Sequence, residues 1–156
     1  MYKDKLISSA SGVTLRDVME ADLPILYEHQ LDTEATAMAA FPAREKEAFM
    51  AHWKKVMGNS TNILRTILFN GQIAGNIVSW EQDNEQEVGY WLGRQYWGKG
   101  IATAALMQFL DLVNMRPLYA HVVKQNIASR RVLEKCGFMI HREDGDEVVL
   151  RYDLKL

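Results

Sequence analysis

The residues with the clearest chemical potential lie in one stretch, Gly93-Arg94-Gln95-Tyr96-Trp97-Gly98-Lys99-Gly100-Ile101-Ala102, between a strand-like run and an apolar helix. A helix start leaves N–H groups without acceptors, and its dipole favours negative charge. Glycines at 98 and 100 tolerate positive φ and let a ligand approach the main chain with no Cβ in the way. The implied chemistry is anion binding; the plainer alternative is a strand-to-helix turn that needs permissive residues. Two nucleotide loops fail here. Residues 93–99 satisfy G-x-x-x-x-G-K, but Gly100 replaces the Ser/Thr whose hydroxyl holds Mg²⁺. A G-x-G-x-x-G reading fails at Thr103, and the strand over 118–122 supplies no ribose-binding acid. A metal-dependent nucleotide binder is left as a minor reading.

Other reactive types are placed less purposefully. Cys136 sits in Lys-Cys-Gly-Phe without a Ser/His/Asp-like partner, which suits a packed thiol. The histidines at 29, 52, 121 and 141 show no i,i+4 pair or ligand spacing, so no metal is expected. Trp53, Trp80, Trp91 and Trp97 read as core and sheet-face residues. With 18 Lys+Arg against 20 Asp+Glu there is no basic excess, which argues against a nucleic-acid partner. One cysteine excludes an internal disulfide framework. No apolar run reaches the ~18 residues that span a bilayer, so no membrane partner is expected. The first 12 residues lack the apolar core of a secretory signal, and the chain is read as cytoplasmic. Hydrophobic residues at 48% and charged residues at 24% fit a folded chain, and no linker or repeat divides it, so 1–156 reads as one domain. A monomer or a homodimer fits equally well.

The positioning elements follow from periodicity and turn residues. A strand over 13–16 leads to Asp17, which opens an Asp-x-x-Glu capping box with Glu20 and a helix carrying Leu23, Leu26, Tyr27 and Leu31. A second helix fits 44–57. Between them 33–42 is rich in Ala and Met and lacks clear periodicity. Strands over 62–69 and 72–80 meet at Asn70-Gly71, the strongest short hairpin signal, and a third at 87–92 follows Asp83-Asn84. A helix apolar nearly all round spans 101–115 and must be buried against a sheet. A strand over 118–123, a helix over 126–136 and strands over 138–142 and 148–154 complete a mixed α/β chain.

Stripped of the nucleotide readings, the loop is Gln95-x-x-Gly98-x-Gly100. It resembles the [QR]-x-x-G-x-[GA] motif of the GCN5-related N-acetyltransferases. Glu87-Val88-Gly89-Tyr90-Trp91-Leu92 is similar to the fourth strand of the branch that acetylates ribosomal-protein N-termini. The run from Asn126 through Ser129 to Gly137-Phe138 resembles that branch's N-x-x-S-x-x-[VL]-x-x-x-G-F segment. The likeness is clear over 72–152 and topological before it.

This resemblance implies a mostly antiparallel sheet of six to seven strands, splayed between the fourth and fifth and flanked by about four helices. It implies acetyl-CoA as acetyl donor, without metal. The pyrophosphate would lie on the amides of Gln95, Gly98, Lys99, Gly100, Ile101 and Ala102, where Lys99 adds a point charge or merely faces solvent. The pantetheine arm would pair with main chain at Trp91 and Leu92. An N–H there would polarise the thioester carbonyl, an effect worth ~3–4 kcal/mol. Asn126 would hold the arm, cap the following helix, or both. An amine would attack directly in a ternary complex, with Glu87 as base through water, or else Glu87 is an ordinary carboxylate of the acidic run 81–87. Many family members protonate the leaving thiolate from a tyrosine where this chain has Leu133; Ser129 or water would take its place. The acceptor, a small-molecule amine or a protein N-terminus, would bind near Met38, Phe41 and Trp53. A non-catalytic acyl-CoA-binding module is the alternative from a different class.

Overall fold

The computed structural model describes residues 12–39 and 43–153. Seven strands form one sheet: β1 (Val13–Asp17), β2 (Ile63–Phe69), β3 (Gln72–Gln82), β4 (Glu85–Leu92), β5 (Leu118–Val123), β6 (Met139–Asp144) and β7 (Glu147–Tyr152). Their order is β1-β2-β3-β4-β5-β7-β6. Every neighbouring pair is antiparallel except β4 and β5. Five α-helices accompany them: α1 (Leu23–Gln30), α2 (Thr33–Ala39), α3 (Lys46–Met57), α4 (Ile101–Leu112) and α5 (Ile127–Lys135). Among the described residues no helix is long and apolar enough to cross a membrane.

The hairpins form where the sequence tolerates the left-handed region. Asn70 and Gly71 have φ of 52° and 82°, and Asp83 and Asn84 have 52° and 65°, the paired positive φ of a two-residue hairpin turn. The β3–β4 ladder extends to Gln82↔Glu85. The strands thus run past the expected ends at 80 and 87, and of the acidic run 81–87 only Asp83-Asn84 lies outside the ladder.

The parallel pair is short. β4 and β5 are in register only at Gln86↔Leu118 and Glu87↔Tyr119, whereas β5 is matched along its whole length by β7. Past Glu87 the two strands diverge, and the β5-facing main chain of β4 has no strand partner there.

Each sheet face carries its own apolar layer. On one, Ile101, Ala105, Leu106 and Phe109 of α4 pack with Val88, Leu118, Leu150 and Leu133. On the other, Leu23 and Leu26 of α1 pack with Phe49 and Trp53 of α3. Strand alternation thus turns Val88, Tyr90 and Leu92 toward α4 and α5, and Glu87, Gly89 and Trp91 toward the α1 side.

Three expectations are corrected. The cap at the start of the first helix is not Asp17 with Glu20, because β1 runs through Asp17. Asp22 instead closes the turn: its Oδ2 accepts the Met19 N–H at 2.9 Å, the Arg16 guanidinium at 2.8 Å and the Thr66 hydroxyl at 2.7 Å. The aperiodic segment after residue 33 holds a fifth helix, α2, whose entry is fixed by Asp32 Oδ1 accepting the Glu34 and Ala35 N–H groups at 2.9 and 3.2 Å. And α4 ends at Leu112, three residues early.

Candidate active site

The loop after β4 is built to present main chain. Arg94–Tyr96 make one 3₁₀ turn, and the Trp97 indole donates to the Leu92 carbonyl at 3.1 Å, tying the loop to the strand end. Gly98 and Gly100 then adopt φ of 72° and 77°. Nothing lies within 4 Å of where a Gly98 Cβ would stand, so glycine is needed there for the backbone conformation. Gly100 is the N-cap of α4, and the first-turn N–H groups that follow have no acceptor within the helix. Ile101 is 1% exposed and packs in the core. Gln95, Lys99 and Gly100 are exposed on the loop.

Where β4 and β5 part, a cleft of about 230 Å³ opens. It brings together Trp91, Leu92, Gly98, Ala102, Asn126 and Ser129, all candidates from the sequence, and is closed from above by Ala35, Met38 and Ala39 of α2. Gln95, Lys99, Gly100, Ile101 and Glu87 are not among its walls. The cleft continues past Tyr90, Asn126 and Ser129 into a hollow of about 130 Å³ that reaches His121 and Glu147. Of the residues expected near an acceptor, Met38 lines the cleft. Trp53 does not: it is 8% exposed and packs on Phe49 at 6.3 Å between ring centroids, because the periodicity of α3 turns it toward the sheet. Phe41 lies outside the described residues.

Glu87 sits at the last rung before the strands diverge and is 4% exposed. Burial penalises its charged form and pushes its pKa up to about 7, against the opposing pull of His121. His121 Nε2 lies 3.2 Å from the carboxylate, and the other ring nitrogen, Nδ1, 3.3 Å from Glu147. The Trp80 indole covers Gly89 next to it, 3.3 Å from where a Cβ would stand. The neighbouring Glu85 takes both terminal guanidinium nitrogens of Arg142, at 3.0 and 3.1 Å. Ligand atoms of Glu85, Glu87 and His121 fall within 4.8 Å of one another, a grouping that sequence spacing did not suggest. A cation there would have to displace Arg142 from Glu85.

On the other wall Asn126 Oδ1 accepts the Ser129 N–H at 3.2 Å, capping α5, while the residue also lines the cleft. The capping reading of Asn126 is thus observed, and the cap leaves its amide NH₂ unused. Ser129 Oγ lies 2.9 Å from the Tyr90 hydroxyl. Burial pushes the Tyr90 phenol up to about 12, so it stays protonated at neutral pH. Sequence reasoning missed Tyr90 as a site residue; its signal was an alternating strand that sends it to the α5 face opposite Ser129. It missed His121 too, whose partners come from two strands distant in sequence. Leu133 is 2% exposed within the core. The Cys136 thiol is pushed up to about 11 by burial, and its Sγ rests 3.7 Å from the Thr103 carbonyl, which makes it a packing residue.

Comparison with known proteins fits this geometry. Residues 13–139 match the family model described as Acetyltransferase (GNAT) domain. YdaF of Bacillus subtilis (strain 168), provisionally named a ribosomal N-acetyltransferase, is 26% identical over 101 residues; the match covers 60% of this chain and about half, 55%, of that protein. Among solved structures, the ribosomal L7/L12 alpha-N-protein acetyltransferase RimL in complex with coenzyme A superposes with a TM-score of 0.78 at 19% identity, covering 94% of this chain and 96% of that one. The spermidine N-acetyltransferase of Vibrio cholerae, solved with CoA and spermine, gives 0.76 at 17% identity over 90% and 93%. At such identities these two are likenesses of fold. With the family model spanning most of the chain, and the splayed strands and glycine loop in its expected places, the protein belongs to the GNAT acetyltransferase family.

Proposed function

We propose that the chain transfers an acetyl group from acetyl-CoA to a primary amine by direct attack in a ternary complex. The observation that carries this reading is the splay between β4 and β5, which opens one cleft between a glycine-bracketed helix start and a buried carboxyl. Main-chain N–H groups from Gly98 to Ala102 would take the pyrophosphate. The pantetheine arm would pair with β4 between Tyr90 and Leu92, where the strand edge is open, and Asn126 would hold it from α5. Glu87, about 13 Å down the strand from Trp91 at 3.3 Å per residue, would remove the proton of the amine. Because Glu87 does not itself line the cleft, water would carry the proton between the two. Ser129, backed by the Tyr90 hydroxyl at 2.9 Å, would donate a hydrogen bond to the departing thiolate. A carboxyl that titrates near neutrality suits a base working on an ammonium. Acceptors fall in two classes, small amines such as spermidine and the free N-terminus of a protein. The acetyl donor alone does not separate them.

The test is calorimetry with acetyl-CoA in EDTA, then a free-thiol assay with spermidine and with a peptide bearing a free N-terminus. Micromolar binding without metal, followed by thiol release with one acceptor, is the expected result. Glu87→Gln should bind acetyl-CoA as the parent does and turn over ~10²–10⁴-fold more slowly. Binding without turnover of any amine would favour the non-catalytic acyl-CoA-binding module, and no binding would overturn the reading.

A further inference from the structure

The base proposed above is buried, and a buried carboxyl that takes a proton must pass it on before the next turnover. The structure shows where it would go. His121 stands between Glu87 and Glu147 with both ring nitrogens engaged, Nε2 at 3.2 Å from one carboxylate and Nδ1 at 3.3 Å from the other. Side-chain exposure rises along this row, from 6% at Glu87 through 31% at His121 to 42% at Glu147. The row starts inside the sheet and ends in solvent, and it borders the hollow that adjoins the cleft. We infer that Glu87, His121 and Glu147 form a proton relay that discharges the catalytic base to bulk water. This rests on the reading of Glu87 as the base.

The proton balance is simple. The ammonium of the acceptor gives one proton to the Glu87 carboxylate, by way of water, and becomes the neutral amine. Glu87 hands that proton to His121 Nε2, His121 gives its Nδ1 proton to Glu147, and Glu147 releases it to solvent. The ring regains its starting tautomer by exchange with water at its exposed edge. His121 is then a positioning and relay residue that does not touch the reacting atoms.

The surroundings leave this row intact. From β4, Glu85 faces the same locus, but its charge is held by Arg142 of β6 at 3.0 Å. Arg151 of β7 is turned to Asp153 at 2.7 Å. Tyr119 of β5 stacks edge-on with His141 of β6, 5.7 Å between centroids. From α2, which packs on β5, Ala39 reaches the hollow and brings no charge. Among the described residues Glu87 and Glu147 are the carboxylates at ion-pair distance from His121, while Glu85, within 4.8 Å, is paired with Arg142.

The experiment compares the parent protein with His121→Gln, Glu147→Gln and Glu87→Gln, using acetyl-CoA and whichever of spermidine or the free-N-terminus peptide the parent acetylates. The expected result for His121→Gln is an unchanged Kd for acetyl-CoA and a kcat lower by about 10-fold, short of the loss of the base itself. Imidazole buffer at rising concentration should restore part of that rate and leave the parent unaffected, which a structural role would not do. Glu147→Gln, at the exposed end, should show the same buffer dependence with a smaller loss, and it serves if His121→Gln does not fold. In parallel, the ¹⁵N shifts of the His121 imidazole are recorded for the parent and for Glu87→Gln at the same pH, and they should differ between the two. A kcat within twofold of the parent at every buffer concentration, or His121 ¹⁵N shifts indifferent to Glu87, overturns the relay. If Glu87→Gln turns over like the parent, the base assignment fails instead.

Discussion

At the residue scale, Glu87 and Tyr90 show how a strand gives two side chains opposite tasks. They are three apart, so they face opposite sides of the sheet; Glu87 is buried outside the walls of the cleft, and Tyr90 is half-buried and lines it. Burial holds Glu87 up to about 7, so the proposed base is protonated in acid and gains its charge as pH rises. The rate of acetyl transfer should therefore climb from pH 6 to 8 with a midpoint near 7, and a profile already flat at pH 5.5 would show that another group is the base. Tyr90 is held protonated by the same burial, and its hydroxyl orders Ser129 at 2.9 Å. Tyr90→Phe keeps the ring packing and removes this contact. It should cost about 1 kcal/mol of stability, as one hydrogen bond does, and lower kcat by about 10-fold, less than loss of an acid–base group, with acetyl-CoA binding unaltered. An unchanged kcat would leave the thiolate to water. Of these residues the sequence singled out Glu87, Asn126 and Ser129 through motif and alternation, and the structure sets Asn126 and Ser129 in the cleft and Glu87 outside its walls. Tyr90 and His121 became visible only in three dimensions, because their partners sit 39 and 26 residues further along the chain.

At the element scale, the legible parts were those with local signals. Asn70-Gly71 and Asp83-Asn84 announced their hairpins, and the apolar surround of α4 announced a buried helix. What was missed had a local signal of lower contrast. Helix α2 has seven residues, too few for periodicity to show, although Asp32 before Thr33-Glu34-Ala35 offers an N-cap and good helix formers. The cap at residue 22 was misplaced because two acidic residues, Glu20 and Asp22, lie in the same turn, and the one that reaches β1 and β2 wins it. Trp53 was assigned to the acceptor pocket on its aromatic type alone, while the face of α3 decided its place. The glycine loop is the element proposed to hold the cofactor, and its glycines differ from its lysine in kind. Gly98→Ala forces a Cβ into φ of 72°, a strain of about 1–2 kcal/mol that would open or shift the loop. Acetyl-CoA affinity should fall about 10-fold, which corresponds to ~1.4 kcal/mol. Lys99→Ala, on an exposed side chain, should change it by less than about 3-fold, as an exposed charge does. Equal losses in the two variants would mean that charge, more than main-chain presentation, holds the phosphates.

At the scale of the whole molecule, two buried carboxyls pull stability in opposite directions with pH. Asp22 fastens the start of α1 to β1 and β2 through Arg16 and Thr66. Burial by itself would raise its pKa, but Arg16, the Met19 N–H and the Thr66 hydroxyl bring it down from 3.8 to about 2. A depressed pKa gives stability that is present above 3.8 and lost as pH falls toward 2. At about 1.4 kcal/mol per pH unit this amounts to roughly 2 kcal/mol. Glu87 is the reverse case: its pKa is raised from 4.5 to about 7, so the folded state is favoured below 4.5 and loses that advantage as pH climbs through 7. The buried histidine His29, whose pKa is lowered by burial, works the other way and gains stability as pH rises through its ordinary value. Melting temperatures of the parent alone would mix these contributions, so the comparison must be between variants. The gap between the parent and Asp22→Asn should be wide at pH 5 and close by pH 2. The gap between the parent and Glu87→Gln should open from pH 4.5 to 7.5 with the variant the more stable, while its kcat is the lower of the two. A base stored at a cost in stability would thus be seen directly, as one substitution that raises the melting point at the pH where it removes the activity. A Glu87→Gln protein that melts with the parent at pH 7.5 would show that the carboxyl is not penalised by burial, and its activity profile would then need another origin.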